Sequence, residues 1–343
     1  MTGVMKLSQW LGLACLAMAA YVAWEIRQLL LLLFLAIVLS TALNRLVKQL
    51  QTWGIKRPLA LAITLITVTV AVVLFFLLVI PPFWEQLQIL IGSLPKVGDR
   101  LENFFEDWHD RMEVKFFSQA FSVDDLPDSI SALGANALSS LINLFSNSVT
   151  AVLQIIFILA IAVMMLLSPQ AYRQGTLKLF PSFYRRRADE ILTQSESSLG
   201  NWLTGIVINS FFIASLSGIG LWILQIKLVL VHALMAGILN FIPNIGPAAS
   251  VVFPLMIAVL DAPWKIIAVL ILYFLIQNVE SYWLTPIVMA KQVSLLPAVT
   301  LIAQLFFASI FGLLGLILAL PLTVVLKTWI EEALFKDLLD NWQ

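Results

Sequence analysis

Apolar runs about as long as a bilayer is thick, roughly 20 residues in a helix, recur along the chain and are separated by short polar or basic stretches. Reading each run as a span predicts helices near 8–24, 28–44, 58–80, 146–167, 203–225, 228–260, 264–288 and 297–326. The predicted architecture is therefore an all-α polytopic transmembrane bundle of about eight spans. The last run is long enough to be either one strongly tilted span or a helical hairpin. The run 228–260 is interrupted by "NFIPNIGPAAS" at 240–250. Proline removes a backbone donor there and glycine loosens the helix, so this span is predicted to be broken.

Between the third and fourth runs the pattern changes. Phe83, Leu87, Leu90, Leu94, Val97, Leu101, Phe104 and Trp108 step by four and three alternately, the spacing of an amphipathic or coiled-coil seam, with Pro95 placed to kink it. Two readings are open: a helix lying on the membrane or on its neighbours, and a seam through which identical subunits associate. Small residues also recur at helical spacing inside the spans. Ser210, Ala214 and Gly218 form one set, and Ala308, Gly312, Gly315 and Ala319 another; such positions let helices approach closely where no hydrophobic force drives them together.

Composition confirms the class: 61% of the 343 residues are hydrophobic and 12% are charged, against about a quarter charged in a soluble domain. From Leu296 to Leu326 there is no ionisable residue at all. Formal net charge is zero, which gives no reason to expect nucleic acid as a partner. Charge distribution is more telling. The stretch 45–57 carries Arg45, Lys48, Lys56 and Arg57, and 173–187 carries Arg173, Lys178, Arg185, Arg186 and Arg187, neither with an acid, whereas 81–145 carries ten acidic residues. The positive-inside rule places the basic stretches and the N-terminus in the cytoplasm and 81–145 outside. The expected organisation is 1–80, three spans; 81–145, an extracytoplasmic amphipathic insertion; 146–330, a transmembrane core with a cytoplasmic linker at 169–202; and 331–343, a cytoplasmic tail. The first apolar run is expected to be a retained helix and not a cleaved signal, since its charged start is only Lys6 and a second apolar run follows at once.

The sequence lacks the phosphate-binding loop G-x-x-x-x-G-K-[ST] and the zinc motif H-E-x-x-H, and has one cysteine and two histidines, so nucleotide hydrolysis and zinc chemistry are not expected. No cofactor, metal or catalytic residue is predicted, and the chain is not expected to be an enzyme. One acid does lie inside a span. Within the apolar run 266–290, Glu280 is the sole ionisable residue; a charge near a helix centre costs about 2.5–3.5 kcal/mol even on lenient insertion scales. Tyr273, Gln277 and Glu280 share one helical face by their spacing, with Asn278 one step aside. Two roles are open for this face: a structural polar clamp between helices, and a site that binds solute or carries a coupling proton. The same choice holds for Asn240, Pro243, Asn244, Gly246 and Pro247, which form either a capped turn or a discontinuous-helix binding site.

The blocks "AGILNFIPNIGPAAS" (236–250), "QNVESYWLTPIVMAKQVSLLPAVTLIA" (277–303) and "IFGLLGLILALPLTVVLK" (310–327), in this order and with the early "LFLAIVLSTALNRLV" (33–47), resemble the AI-2E family of multipass membrane proteins, also called the autoinducer-2 exporter-like or PerM family. The resemblance implies a bacterial-type inner-membrane transporter with no ATPase of its own, related to exporters of autoinducer-2 and to cation/proton antiporters. It carries over Pro243, Gly246, Pro247, Glu280, Pro286, Lys291, Pro297, Gly312, Gly315 and Pro321, of which Pro286, Lys291, Gly312, Gly315 and Pro321 are read as packing and motif positions. The expected function is secondary transport or export of a small polar solute or ion, with proton or sodium coupling, by a homo-oligomer in the lipid bilayer. A passive channel and a membrane scaffold acting through the outer insertion are the alternatives.

Overall fold

A computed structural model describes residues 18, 21–82, 84, 85, 88, 148–242, 245–284 and 296–339. Among these the chain is helical with no strands: α1 (Arg27–Thr52), α2 (Arg57–Leu78), α3 (Ser148–Leu167), α4 (Pro169–Lys178), α5 (Arg185–Ile223), α6 (Val229–Leu239), α7 (Ile245–Asp261), α8 (Pro263–Val279) with a π-helical extension Glu280–Leu284, α9 (Pro297–Trp329) and α10 (Ile330–Leu339). The outer seam, Phe83 to Trp108 at the positions named above, lies outside the described residues, as do Pro243, Asn244, Pro286 and Lys291. Among the described residues five helices are long and apolar enough to cross a membrane, or six if α3 and α4 count as one span bent by 95°. The all-α polytopic membrane architecture read from the sequence is the one observed.

Local chemistry explains the boundaries. Proline stands in the first turn of α2, α4, α8 and α9, where its missing N–H costs nothing and its fixed φ suits the helix. α1 ends in a Schellman motif: Gly54, at φ 85°, lets its own N–H reach the Gln51 carbonyl and the Ile55 N–H reach that of Leu50.

The helices cluster into two units, one of residues 1–55, 152–200 and 295–343, the other of 56–151 and 201–294. The two units are interleaved along the chain, because helices pack by apolar face and not by order in the sequence.

In the first unit Leu32 and Ala36 of α1 meet Ile158 and Ala162 of α3, with Leu314 of α9 packed beside them. Ala36 and Ala162 are fully buried, small residues that permit a close crossing. Residues 169–202, expected as a linker, include α4 and the first turns of α5, and ion pairs hold them. Arg173 binds Asp189 at 2.6 Å and Lys48 binds Glu196 at 3.2 Å. The expected tail is likewise docked. Arg187 donates to Glu332 and Asp337 at 2.9 Å each, Tyr184 donates to Asp337 at 2.9 Å, and Phe180 stacks on Trp329. The charge count of the stretch 173–187 does not reveal acids brought in from 332–337.

α9 resolves the choice between span and hairpin. Gly312 has φ 64° and ψ −144°, a conformation essentially confined to glycine. A Cβ on Gly315 would lie 2.1 Å from the Phe307 carbonyl oxygen, although residues eight apart in a straight helix are separated by about 12 Å. The chain therefore folds back at Gly312 into a hairpin. Its first arm, about 15 residues long, measures ~22 Å, short of a hydrocarbon core of ~30 Å. Gly312, read as a packing position, has nothing within 4 Å of its would-be Cβ; it is the turn, whereas Gly315 is the packing glycine and Pro321 is buried in the second arm.

Candidate functional site: a layered polar interface in the second unit

The second unit is built around the face of α5 that carries small residues. A Cβ on Gly237 of α6 would stand 2.9 Å from both Ala214 Cβ and the Ser210 carbonyl, and one on Gly218 would stand 3.2 Å from Ala233 Cβ. The Ser210–Ala214–Gly218 face is thus occupied by α6 of the same chain, as a packing role requires, and that face is not available for self-association.

α6 ends at Leu239, and α7 begins at Ile245. The predicted break is real, and Gly246 makes it tight: a Cβ there would lie 1.9 Å from the Leu239 carbonyl oxygen. Gly246 is therefore a steric necessity of the crossing. Pro247, half-buried, offers its carbonyl to Ser250 Oγ at 2.8 Å. Asn240, 1% exposed, turns inward, and its Nδ2 reaches Ser210 Oγ at 3.4 Å.

Across the interface, α8 presents the predicted stripe. Glu280 opens the π-helical turn, a widening often found at functional positions, and it is buried. Asn209 Nδ2 donates to Glu280 Oε1 at 2.7 Å, and Gln277 Nε2 donates to Oε2 at 3.3 Å. Both partners are neutral amides, so among the described residues the carboxyl is held without a cation. Gln277 is otherwise exposed. Asn278 departs from the predicted site: its amide donates to the Phe274 carbonyl of its own helix at 2.7 Å, because one step of 100° carries it off the stripe.

The two features that seemed improbable in hydrocarbon, the broken backbone and the lone acid, are thus linked through adjacent residues of α5: Asn240 to Ser210, and Glu280 to Asn209. Sequence reading passed over Asn209 and took Ser210 first of all for packing. The signal was present, since Asn209 is the sole side-chain amide between Leu203 and Ile223.

Successive turns of α5 and α8 alternate in character. Beside the Asn209/Ser210–Asn240–Glu280 layer lies an apolar one of Ile213, Ala236 and Ile276. Beyond it Tyr273 of α8 faces Ser217 of α5 and Ser250 of α7. A second apolar layer of Leu221, Ile226, Ala258 and Val269 closes that end. Numbers rise on α5 as they fall on α8, so the two helices run antiparallel. Several buried polar atoms complete no hydrogen bond to protein: Asn209 Oδ1 in the first polar layer, Ser217 Oγ and Tyr273 OH in the second, and His232 Nε2 on α6. Buried polar groups are seldom left unpaired, since each costs roughly 1–3 kcal/mol. At the end of the unit Lys265, buried, donates to the Gln225 carbonyl at 3.1 Å and to Asp261, which ties the turn after α5 to the start of α8.

A family model described as AI-2E family transporter matches residues 13–335. Among curated proteins, YrrI of Bacillus subtilis is 23% identical over 306 residues, covering 86% of this chain and 85% of its own. The AI-2 transport protein TqsA of Escherichia coli is 24% identical over 304 residues, 87% of this chain and 84% of its own. PerM of Escherichia coli is 23% identical over 307 residues, 87% and 86% respectively.

Proposed function

The chain belongs to the AI-2E family of transporters, and from that premise we propose that it is a secondary transporter of a small polar solute or ion whose binding site is the Glu280 layer. The observation that carries this reading is the Asn209–Glu280 pair at 2.7 Å, joined through Ser210 to the broken helix at Asn240, with Asn209 Oδ1 left unpaired. A clamp evolved only for rigidity would satisfy its own atoms. Here one carboxyl and four neutral polar side chains, Asn209, Ser210, Asn240 and Gln277, converge from α5, α8 and the end of α6 with hydrogen-bonding capacity to spare, which suits a hydrated cation or a hydroxyl-bearing solute. A carboxyl held by amides alone can also change protonation without breaking an ion pair, the requirement for proton coupling.

In this reading the protein sits in a bacterial inner membrane with its N-terminus in the cytoplasm and 81–145 outside, and its exposed apolar helix faces meet lipid or further copies of the chain. Autoinducer-2 enters the candidate solutes because TqsA is named for its transport. The test is flux in proteoliposomes over protons, sodium, autoinducer-2 and small polar metabolites, with Glu280→Gln beside the unaltered protein. Gradient-dependent flux that falls at least tenfold in Glu280→Gln, a loss of about 1.4 kcal/mol or more, is expected. Equal flux through both proteins would remove the carboxyl from the mechanism.

A further inference from the structure

The turn between α4 and α5 carries chemistry that the Glu280 site does not use. α3 is 20 residues long, about 30 Å of helix and enough to cross a hydrocarbon core, and its apolar run ends at Leu167. The chain then bends by 95° into α4, whose Gln170, Arg173, Gln174 and Lys178 are too polar for hydrocarbon. A spanning α3 therefore leaves α4 running along the membrane surface, with the turn 179–184 at that depth. There stand the two most exposed large apolar side chains among the described residues: Leu179 is 84% exposed and Phe183 86%. Exposed apolar residues along a span are covered by acyl chains; these two stand beyond the end of one. Phe180 stacks on Trp329 of α9 with ring centroids 5.6 Å apart, and Tyr184 donates to Asp337 of α10. Phe180 and Tyr184 thus hold the turn against the protein, and the residues just before them, Leu179 and Phe183, are left outward. Cations flank that pair. Lys178 closes α4, and Arg185 and Arg186 open α5, both exposed, while no acid occurs from Arg173 to Arg187. Arg185 Nε donates to the Phe180 carbonyl at 3.0 Å. Arg186, its side chain 94% exposed, meets Glu190 at 3.6 Å, a solvated pair worth little that leaves the guanidinium able to turn to a phosphate.

We propose that the α4–α5 turn is a binding site for anionic phospholipid: Leu179 and Phe183 enter the boundary between headgroups and acyl chains, and Lys178, Arg185 and Arg186 hold the phosphate groups beside them. Apolar side chains set among cations are the chemistry of an interfacial anchor. Basic residues at a membrane surface favour anionic lipid, and a guanidinium matches phosphate oxygens in a two-bond fork. An acidic protein segment would match the charge too, but a turn that begins at the end of a span already has headgroups at hand. The site owes nothing to Glu280, so either reading can fail without the other.

The experiment uses the full chain in phosphatidylcholine nanodiscs. Cys15, the one native cysteine, is replaced by serine, and a fluorophore is attached at Ser182→Cys, an exposed position of the turn that leaves Leu179, Phe183 and the three cations in place. The probe is a lipid with a shallow nitroxide quencher, added at one mole fraction either as phosphatidylglycerol or as phosphatidylcholine. Quenching by the anionic lipid is expected to exceed that by the zwitterionic one about threefold or more, since each Lys or Arg at such a surface adds to the attraction. The excess should vanish at about 1 M salt, where the screening length shrinks to about 3 Å. It should vanish equally in Lys178→Gln/Arg185→Gln/Arg186→Gln, which spares the contacts of Arg187 to the tail. Salt acts with all three cations present, so a triple variant that fails to fold leaves the test intact. Equal quenching by the two lipids overturns the proposal, and an excess that survives either treatment does so by placing the anionic lipid elsewhere. Quenching by aqueous iodide with none from either lipid means that the turn faces water, and protection from all three quenchers means that a protein covers it; each of these outcomes also overturns the proposal.

Discussion

Gly246→Ala puts the break between α6 and α7 to a direct test. In an open helical position, replacing glycine by alanine stabilises, by about 0.4–1 kcal/mol, because the unfolded chain loses freedom. Gly175, in α4 with nothing within 4 Å of a built Cβ, is such a position. At Gly246 the same methyl group would lie 1.9 Å from the Leu239 carbonyl oxygen and 2.5 Å from its carbon. An ordinary contact there needs 3.4 Å or more, so α6 and α7 must part by more than an ångström. The obstacle is backbone, which cannot step aside as a flexible side chain would. Overpacking of this kind costs about 1–3 kcal/mol, and any separation also draws Asn240 away from Ser210, where the bond is already 3.4 Å long. The assay is thermal unfolding of the purified protein in detergent, followed by tryptophan fluorescence, with Gly175→Ala as the internal reference. At about 2 °C per kcal/mol for a chain of this size, Gly246→Ala should melt several degrees below the unaltered protein and Gly175→Ala at or above it. A Gly246→Ala protein that melts with or above Gly175→Ala would mean that the two helix ends do not cross as described, and the link between the broken helix and Glu280 would fall with it.

Other expectations follow from single contacts. Gly312→Ala should destabilise by about 1–3 kcal/mol through backbone strain alone, since space for the methyl group is open; a midpoint unchanged from that of the unaltered protein would contradict the hairpin at φ 64°. Arg187→Lys should melt nearly as low as Arg187→Ala, because a lysine cannot span Glu332 and Asp337 at once as the guanidinium does. The expected loss is about 1–3 kcal/mol, the range for hydrogen bonds to charged groups, and full rescue by lysine would show that charge alone suffices.

Much of this protein follows from its sequence because the bilayer is an unforgiving solvent. With no water to satisfy backbone groups, long apolar runs must be helices, and the helical architecture of the described residues was predicted from run length alone. The same intolerance made "NFIPNIGPAAS" and Glu280 stand out, since each is costly in oil and therefore informative. What hydropathy could not give was partnership. The identity of the groups that hold Glu280 and Asn240 depends on α5 packing against both α6 and α8, and Asn209 and Ser210 looked like ordinary small polar residues until that packing brought them within 2.7 and 3.4 Å of their partners. The fold of α9 back on itself was open in the sequence for the same reason: a glycine in an apolar run serves equally as a close-packing surface or as a turn, and only the left-handed φ of Gly312 decides. Local physics set which segments are helices and where they break; the docking of those helices, a matter of matching small and polar faces between segments distant in sequence, decided which breaks and which lone polar groups form a site.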